Sequence, residues 1–376
     1  MASNGNDGKL RKPVECVIQV DGREIAELYK YLKEVRVEMS RKAAAVCTLT
    51  FDSVRDASGH WSVQDSGRLR PWMPIRIDAA FGISREEVMR GYVRDVKVDY
   101  PQDMSAATVT VTGQDESLLL DREHVKLNWS NEARPMSDGD IVRQIAADHG
   151  LDVQASSGLS NMNLNHDGTY IRFLMDRAEA NGYELLLRAG MLYFRPPDLA
   201  GRPQPVILVY AGRATNCLKF SAQFDGHKPD EVRITRAPES GSSSDGQRLL
   251  PDLPGLGQSS ATSDEMGLRP FAWSIQQPSG ATAAEATARA QAKVNENAWK
   301  VVGEGELDGA LYGHVLLTHQ TVEVDGVGGT YDGLYYVDEV KHAFSADGYR
   351  QNFRLIRNAV GQETSSRLRD PLAAVR

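Results

Sequence analysis

The chain has 376 residues, 41% hydrophobic and 25% charged, and 43 Lys and Arg against 51 Asp and Glu give a net charge of -8. That is the make-up of a globular chain long enough for two or three cores, since a single core rarely outgrows about 250 residues. It disfavours specific nucleic-acid binding, which needs a basic face, and no run approaches the ~20 apolar residues of a membrane-spanning helix.

The opening "MASNGNDGKLRKPVE" is polar and has no apolar centre, so the sequence predicts a flexible arm over residues 1–13 and no secretory leader. From residue 14 to 125 the chain is strand-rich. "VECVIQV", "VRVEM", "AVCTLTF", "PIRIDAAF", "VMRGYVRDVKVDY" and "ATVTVTG" are short β-type runs between turn residues. Only "EIAELYKYLK" interrupts them as a short helix, and the pattern predicts a barrel or sandwich. Cys16, Cys47 and Cys217 fall far apart in strand-like runs. An odd, scattered set argues against a disulfide framework or zinc site and for buried small hydrophobes in a chain made under reducing conditions.

Residues 126–205 change character. "MSDGDIVRQIAADHGLDV" spaces Ile141, Val142, Ile145 and Ala146 as one helix face, with Ser137 placed to cap its start and Gly150 to close its end. "TYIRFLMDRAEANG" is a second amphipathic helix, stopped by Asn181 and Gly182. In "YELLLRAGMLYFRPP" two apolar runs flank Ala189 and Gly190, a turn pair that joins antiparallel strands. The segment reads as a small α+β unit. Strands return over 206–236, then 237–281 loses all periodicity in Ser, Gly and Pro and is expected to be a mobile insertion or a partner-dependent loop. The Ala-rich helix "ATAAEATARAQAKVNENAW" and further strands fill 282–362, and 363–376 reads as a polar tail.

An internal repeat links the two strand-rich parts. "YVRDVKVDYPQDMSAATVTVTG" from Tyr92 and "YVDEVKHAFSADGYRQNFRLIR" from Tyr336 run side by side at a constant spacing of 244. Tyr92 meets Tyr336, Val93 meets Val337, Asp95 meets Glu339, Val96 meets Val340, Lys97 meets Lys341 and Tyr100 meets Phe344. Asp103 meets Asp347 across the turn, and Val109 and Val111 meet Phe353 and Leu355. Any two hairpins share alternation. Agreement in charge sign, aromatic ends and turn position points further, to duplicated β-domains. A chain with two like domains that forms trimers presents six like domains, a match between six-fold and three-fold partners.

These segments resemble the late-control-D and gp27-like baseplate hub proteins of contractile phage tails and related contractile injection systems. "RFLMDRAEANGYELLLRAGMLYFRPP" is similar to the family's helix-hairpin signature. "GYVRDVKVDYPQDMSAATVTVTGQDES" and "YDGLYYVDEVKHAFSADGYRQNFRLIRN" look like the ends of its two barrels. The resemblance covers most of residues 14–360 and rests on apolar and turn patterns rather than an invariant catalytic set. It implies a mainly β fold with an α+β insertion, in which two similar tail-tube-like β-barrel domains per chain form a trimeric, pseudo-six-fold ring. The implied partners are the hexameric tail tube, a separate trimeric spike protein and baseplate wedge or tape-measure components. The implied location is a virion tail baseplate or injection particle assembled in the bacterial cytoplasm. The hairpin unit would then bridge the barrels and decorate the rim, and an acidic lumen would let DNA pass without sticking.

No residue is nominated as catalytic, cofactor-binding or metal-ligating, and no cofactor is expected. Asp138 and Asp140 in "SDGD" lack the further oxygen ligands of a calcium loop and suit a helix N-terminus. His314, His319 and His342 gather late in the sequence, without Cys or carboxylates at ligand spacing. Glu179 and Glu184 are the carboxylates to consider for glycoside hydrolysis, yet each sits in an ordinary amphipathic element and reads as a solvated side chain. "GEGELDG" and "DGVGGTYDG" follow no phosphate-loop pattern, and no nucleophile elbow occurs. A tail-associated peptidoglycan hydrolase and a glycan-binding adhesin are the competing functions.

Overall fold

A computed structural model describes residues 13–102, 107–131, 133–161, 163–235, 247–262, 268–276 and 282–361. The expected tail and all but the last residue of the expected arm lie outside them. Six main strands build the first half: β1 (Glu15–Val20), β2 (Leu32–Ser40), β3 (Ala43–Ser53), β4 (Pro74–Phe81), β5 (Ser84–Asp99) and β6 (Ala107–Asp115). They coincide with the six β-type runs, and "EIAELYKYLK" supplies a short 3-10 helix, Ala26–Tyr31. Alternate residues point inward, so Val35, Val37, Cys47, Leu49, Phe51, Ile77, Val93, Val109 and Val111 form one core. Burying each such side chain is worth about 1.5–3 kcal/mol, and the period of two sets which face turns in.

The α+β unit follows the capping chemistry in its sequence. Helix α1 (Asp138–Asp148) starts where the Ser137 hydroxyl accepts the Asp140 N–H at 3.1 Å. Helix α2 (Tyr170–Asn181) stops at Gly182, whose φ of 66° a side chain would resist. Strands β7 (Glu184–Arg188) and β8 (Met191–Arg195) pair across Ala189 and Gly190, at φ 55° and 78°. Both positive values are those of a type I′ hairpin turn. Leu120, Ile141, Ile145, Phe173, Leu174, Leu192 and Phe194 make a separate core for this unit.

The second half contains β9 (Gln204–Leu208), β10 (Cys217–Phe224), β11 (Glu231–Thr235), α3 (Ala283–Asn297), β12 (Val301–Asp308), β13 (Thr321–Asp325), β14 (Gly333–Ser345) and β15 (Gly348–Arg357). Most strands of both halves join one curled sheet of thirteen strands. Its order repeats. The first half runs β2-β3-β6-β5-β4-β1 and the second runs β10-β12-β15-β14-β13-β9. One contact differs in direction: β1 is antiparallel to β4, whereas β9 is parallel to β13. The halves meet where β14 pairs with β2.

The repeat is visible in the irregularities as well. The β5–β6 ladder shifts register between Val93 and Asp95, and the β14–β15 ladder shifts between Val337 and Glu339, leaving Arg94 and Asp338 as matched bulge residues. The β2–β3 and β10–β12 ladders share a shift at a matched place, around Lys33 and Leu218, and β2–β3 has a second between Glu38 and Ser40 that β10–β12 lacks. The ungapped match of the returning strands needs correction. Val96 faces Val111 while Val340 faces Phe353, so the second hairpin is two residues tighter. Val109 and Val111 therefore correspond to Gln351 and Phe353, because the two connections differ in length.

Within 237–281 the described residues form strand pairs that no periodicity in the sequence announced. Gln247–Leu249 and Ala272–Gln276 flank β11 on opposite edges, and Ser259–Ser260 pairs with Ala359–Val360. Fully buried Arg357 donates from Nε to the Leu256 carbonyl at 2.8 Å, and Asn358 bonds Leu256 N–H and the Pro254 carbonyl. Remote polar side chains order this stretch, which is why local periodicity gave no sign of it.

Candidate functional site

A dense polar cluster lies where the two halves, the hairpin and α3 converge. Arg41, in the β2–β3 turn, donates its backbone N–H to the Asp338 carbonyl at 2.9 Å. Its guanidinium bonds Asp338 Oδ1 at 3.2 Å and both oxygens of Glu296, at 3.1 and 2.9 Å. Glu184 Oε1 stands 3.6 Å away, and the Arg41 side chain is 8% exposed. Burial opposes the charge, but Glu296, Glu184 and Asp338 outweigh it and hold Arg41 above its ordinary pKa. One cation thus ties the bulge of β14 to α3 and the hairpin. Removing one partner of such a group strands buried charge.

Glu184 is not a solvated side chain, contrary to its sequence reading. It is buried, and its Oε2 accepts the Tyr336 hydroxyl at 2.6 Å. Burial pushes its carboxyl up to about 7, with Arg41 and Tyr336 pulling the other way. Glu179 on α2 is exposed, as expected. Both line a cavity of about 970 Å³ between the sheet, α2, β7 and α3, together with Arg41, Arg90, Arg188 and Arg289. Fixed by a tyrosine and an arginine, Glu184 serves as a cross-link between β7 and β14.

The other weighed residues take separate partners. Asp138 is buried in a two-point bond with Arg177, at 2.8 and 3.0 Å, and also accepts from Asn161 and Asn181. It therefore joins α1 to α2 as well as sitting at a helix start. Asp140 remains outside, bonded to Ser137 and Arg143, and the Ser137 hydroxyl helps hold its carboxyl below the usual range. His314 bonds Glu86 at 2.7 Å, and His342 bonds the Tyr349 hydroxyl at 2.8 Å. His319 contacts the Thr318 hydroxyl at 3.1 Å. Burial lowers His319 and His342 to about 3, so both are neutral in the fold. Cys47 and Cys217 are buried and Cys16 partly so; burial raises the first two thiols to about 12 and about 11. Among the described residues no group of three His, Cys, Asp or Glu is placed to hold a metal, and no helix is long and apolar enough to cross a membrane.

Two backbone edges carry a different kind of chemistry. Among the described residues β10 has a ladder neighbour only in β12, and the Asp95–Asp99 half of β5 only in β6. Exposed large side chains sit beside them: Tyr100 at 59%, Leu218 at 51% and Phe224 at 43%. Open, apolar strand edges invite another strand. No sequence signal marked them, because an unpaired edge is a property of topology.

The fold of this chain is shared by solved tail proteins of phages and prophages. The 43 kDa tail protein of prophage MuSo2 from Shewanella oneidensis superposes with a TM-score of 0.67 at 16% identity, over 92% of this chain and 99% of that one. A tail protein from Neisseria meningitidis MC58 gives 0.64 at 13% identity, over 93% and 98%. A type VI secretion component from E. coli, described as similar to the T4 tail proteins gp27 and gp5, gives 0.54 at 10%, over 92% and 77%. Residues 11–346 match the family model described as the Alg8 N-terminal domain, and the chain belongs to that family. A search of curated proteins returned no match.

Proposed function

We propose that this chain is a structural hub of a tail tip, in which the two halves of the sheet act as tube-like barrels and three copies close a ring. Six like barrels would meet a hexameric tail tube on one face, and the three-fold arrangement would seat a trimeric spike on the other, leaving a passage for DNA or other cargo. The carrying observation is the duplicated strand order with its bulge at Arg94 and again at Asp338. Likeness of fold to tail proteins and the two open edges support the same reading. Wedge or tape-measure components are the further partners, and the tail particle is the location. The native mass of the purified chain and electron cryomicroscopy of assembled tail tips test it. Three copies between tube and spike are expected, and a chain that stays single in both settings would refute the ring.

In this reading the chain performs no catalysis. The hydrolase alternative draws on one observation, a carboxyl raised to about 7 beside a cavity. Because the folded pKa of Glu184 exceeds the ordinary 4.5, its proton is held more tightly in the fold. Stability from this group is full below about 4.5 and is lost as pH rises through about 7. Glu184→Gln should therefore flatten stability across that window, measured by urea midpoints. Peptidoglycan zymograms should be blank for both proteins. A clear band abolished by the substitution would favour the enzyme.

A further inference from the structure

The joint between the halves is a template for a joint between copies. Strand β14 is long enough to carry two neighbours on one edge: β13 pairs with Gly333–Tyr336 and β2 with Glu339–Phe344. Strand β5 repeats only the first of these, since β4 pairs with Ser84–Tyr92. Its Asp95–Tyr100 edge, the counterpart of Glu339–Phe344, has no strand beside it among the described residues. The counterpart of β2 is β10, and the outer edge of β10 is open in the same way. We propose that the open half of β5 takes β10 of a second copy of this chain, in the register of the β14–β2 contact. The proposal rests on the ring reading and supplies its seam.

The register follows from matched irregularities. The bulges at Arg94 and Asp338 align β5 with β14, and those at Lys33 and Leu218 align β10 with β2. Within the chain Val35 faces Phe344, Val37 faces His342 and Met39 faces Val340. Transferred, Phe220 faces Tyr100, Ala222 faces Val98 and Phe224 faces Val96 of the next copy. All six are apolar and share one face of the seam. Ser221 opposite Asp99 and Gln223 opposite Lys97 make the other face polar. Antiparallel pairing with one apolar face specifies register strongly, because a slip of one residue reverses every side chain.

Burial differs as an unfilled seam requires. Val340, His342 and Phe344 are at most 6% exposed under β2, whereas Tyr100 is 59% exposed and Val96 and Val98 are half-buried. Likewise Val35 and Val37 are fully buried, whereas Phe224 is 43% exposed. The Tyr100 ring is braced edge-on by Trp61 at 5.1 Å, and its hydroxyl accepts from Gln64 at 3.3 Å. These contacts leave the backbone edge open. The occupant is a copy of this chain because each open edge is the partner that the other lacks, and head-to-tail repetition closes a ring.

Paired cysteines read the register directly. Lys97→Cys with Gln223→Cys places two thiols opposite each other on the polar face, and Tyr100→Cys with Phe220→Cys does so on the apolar face. Mild oxidation of the full chain should give disulfide-linked chains ending at three, reversed by reductant and absent from each single variant. Lys97→Cys with Ala222→Cys, slipped by one, should give none. A multimeric native mass with no cross-link from either matched pair would overturn the seam while leaving the ring. A disulfide closed within one chain would overturn it in favour of an internal strand. A single-copy mass in solution and in assembled tips would remove the ring reading itself.

Discussion

His342 stands where the first half has Val98, and the exchange has a price in acid. The imidazole is buried against Tyr349, and burial holds its pKa at about 3. As pH falls below 6.5 the unfolded chain takes a proton that the fold refuses, so stability from this residue declines toward pH 3. His342→Val should cost about 1–3 kcal/mol at pH 7, where it leaves the Tyr349 hydroxyl without its partner. That deficit should shrink by about 1.4 kcal/mol per pH unit below 6.5, read from urea midpoints across the range. Arg41 behaves differently, since its partners are carboxylates on three other elements. Arg41→Met should cost about 3–5 kcal/mol at neutral pH, because Glu184, Glu296 and Asp338 remain with less compensation. A loss under 1 kcal/mol in chemical denaturation would show that water repairs the site.

At the level of elements, what the sequence made legible was whatever a short window can hold. The six runs of the first half, the Ser137 cap, the Gly182 stop and the Ala189-Gly190 turn all depend on neighbours within a few residues, and each stands as read. Glu184 misled because its strand alternates like any surface strand, while Arg41 and Tyr336 bury it from far along the chain. Contacts within 237–281 were illegible for the same reason: Arg357 and Asn358 bond Leu256 from about a hundred residues away. Both open edges were hidden entirely, since pairing partners are assigned only once strands are ordered. Gly326, after β13, is another element-scale device. Its φ is 96°, and a Cβ there would stand 1.8 Å from the Val209 carbonyl oxygen at the end of β9. Gly326→Ala should push β9 off β13 and cost at least about 2–4 kcal/mol, seen as early loss of amide protection in β9.

For the molecule as a whole, the ladder between β14 and β2 matters more than any single core. Six residue pairs, Glu339–Ser40 to Phe344–Val35, bind the halves through main chain. The first core also includes Val315, Phe344 and Tyr349 from the second half. Domains that merely touch melt apart one after the other, whereas these halves share both a sheet and a core. Calorimetry should give one endotherm for both halves, with the α+β unit free to depart earlier. Two well-separated endotherms assigned to the halves would contradict it.

That ladder also decides how the molecule carries load. A hinge needs a few residues that absorb rotation, and here any swing of one half against the other would have to shear a run of interstrand hydrogen bonds sideways in unison. Under load applied to one half, the chain would transmit force as a stiff girder, yielding by rupture rather than by bending.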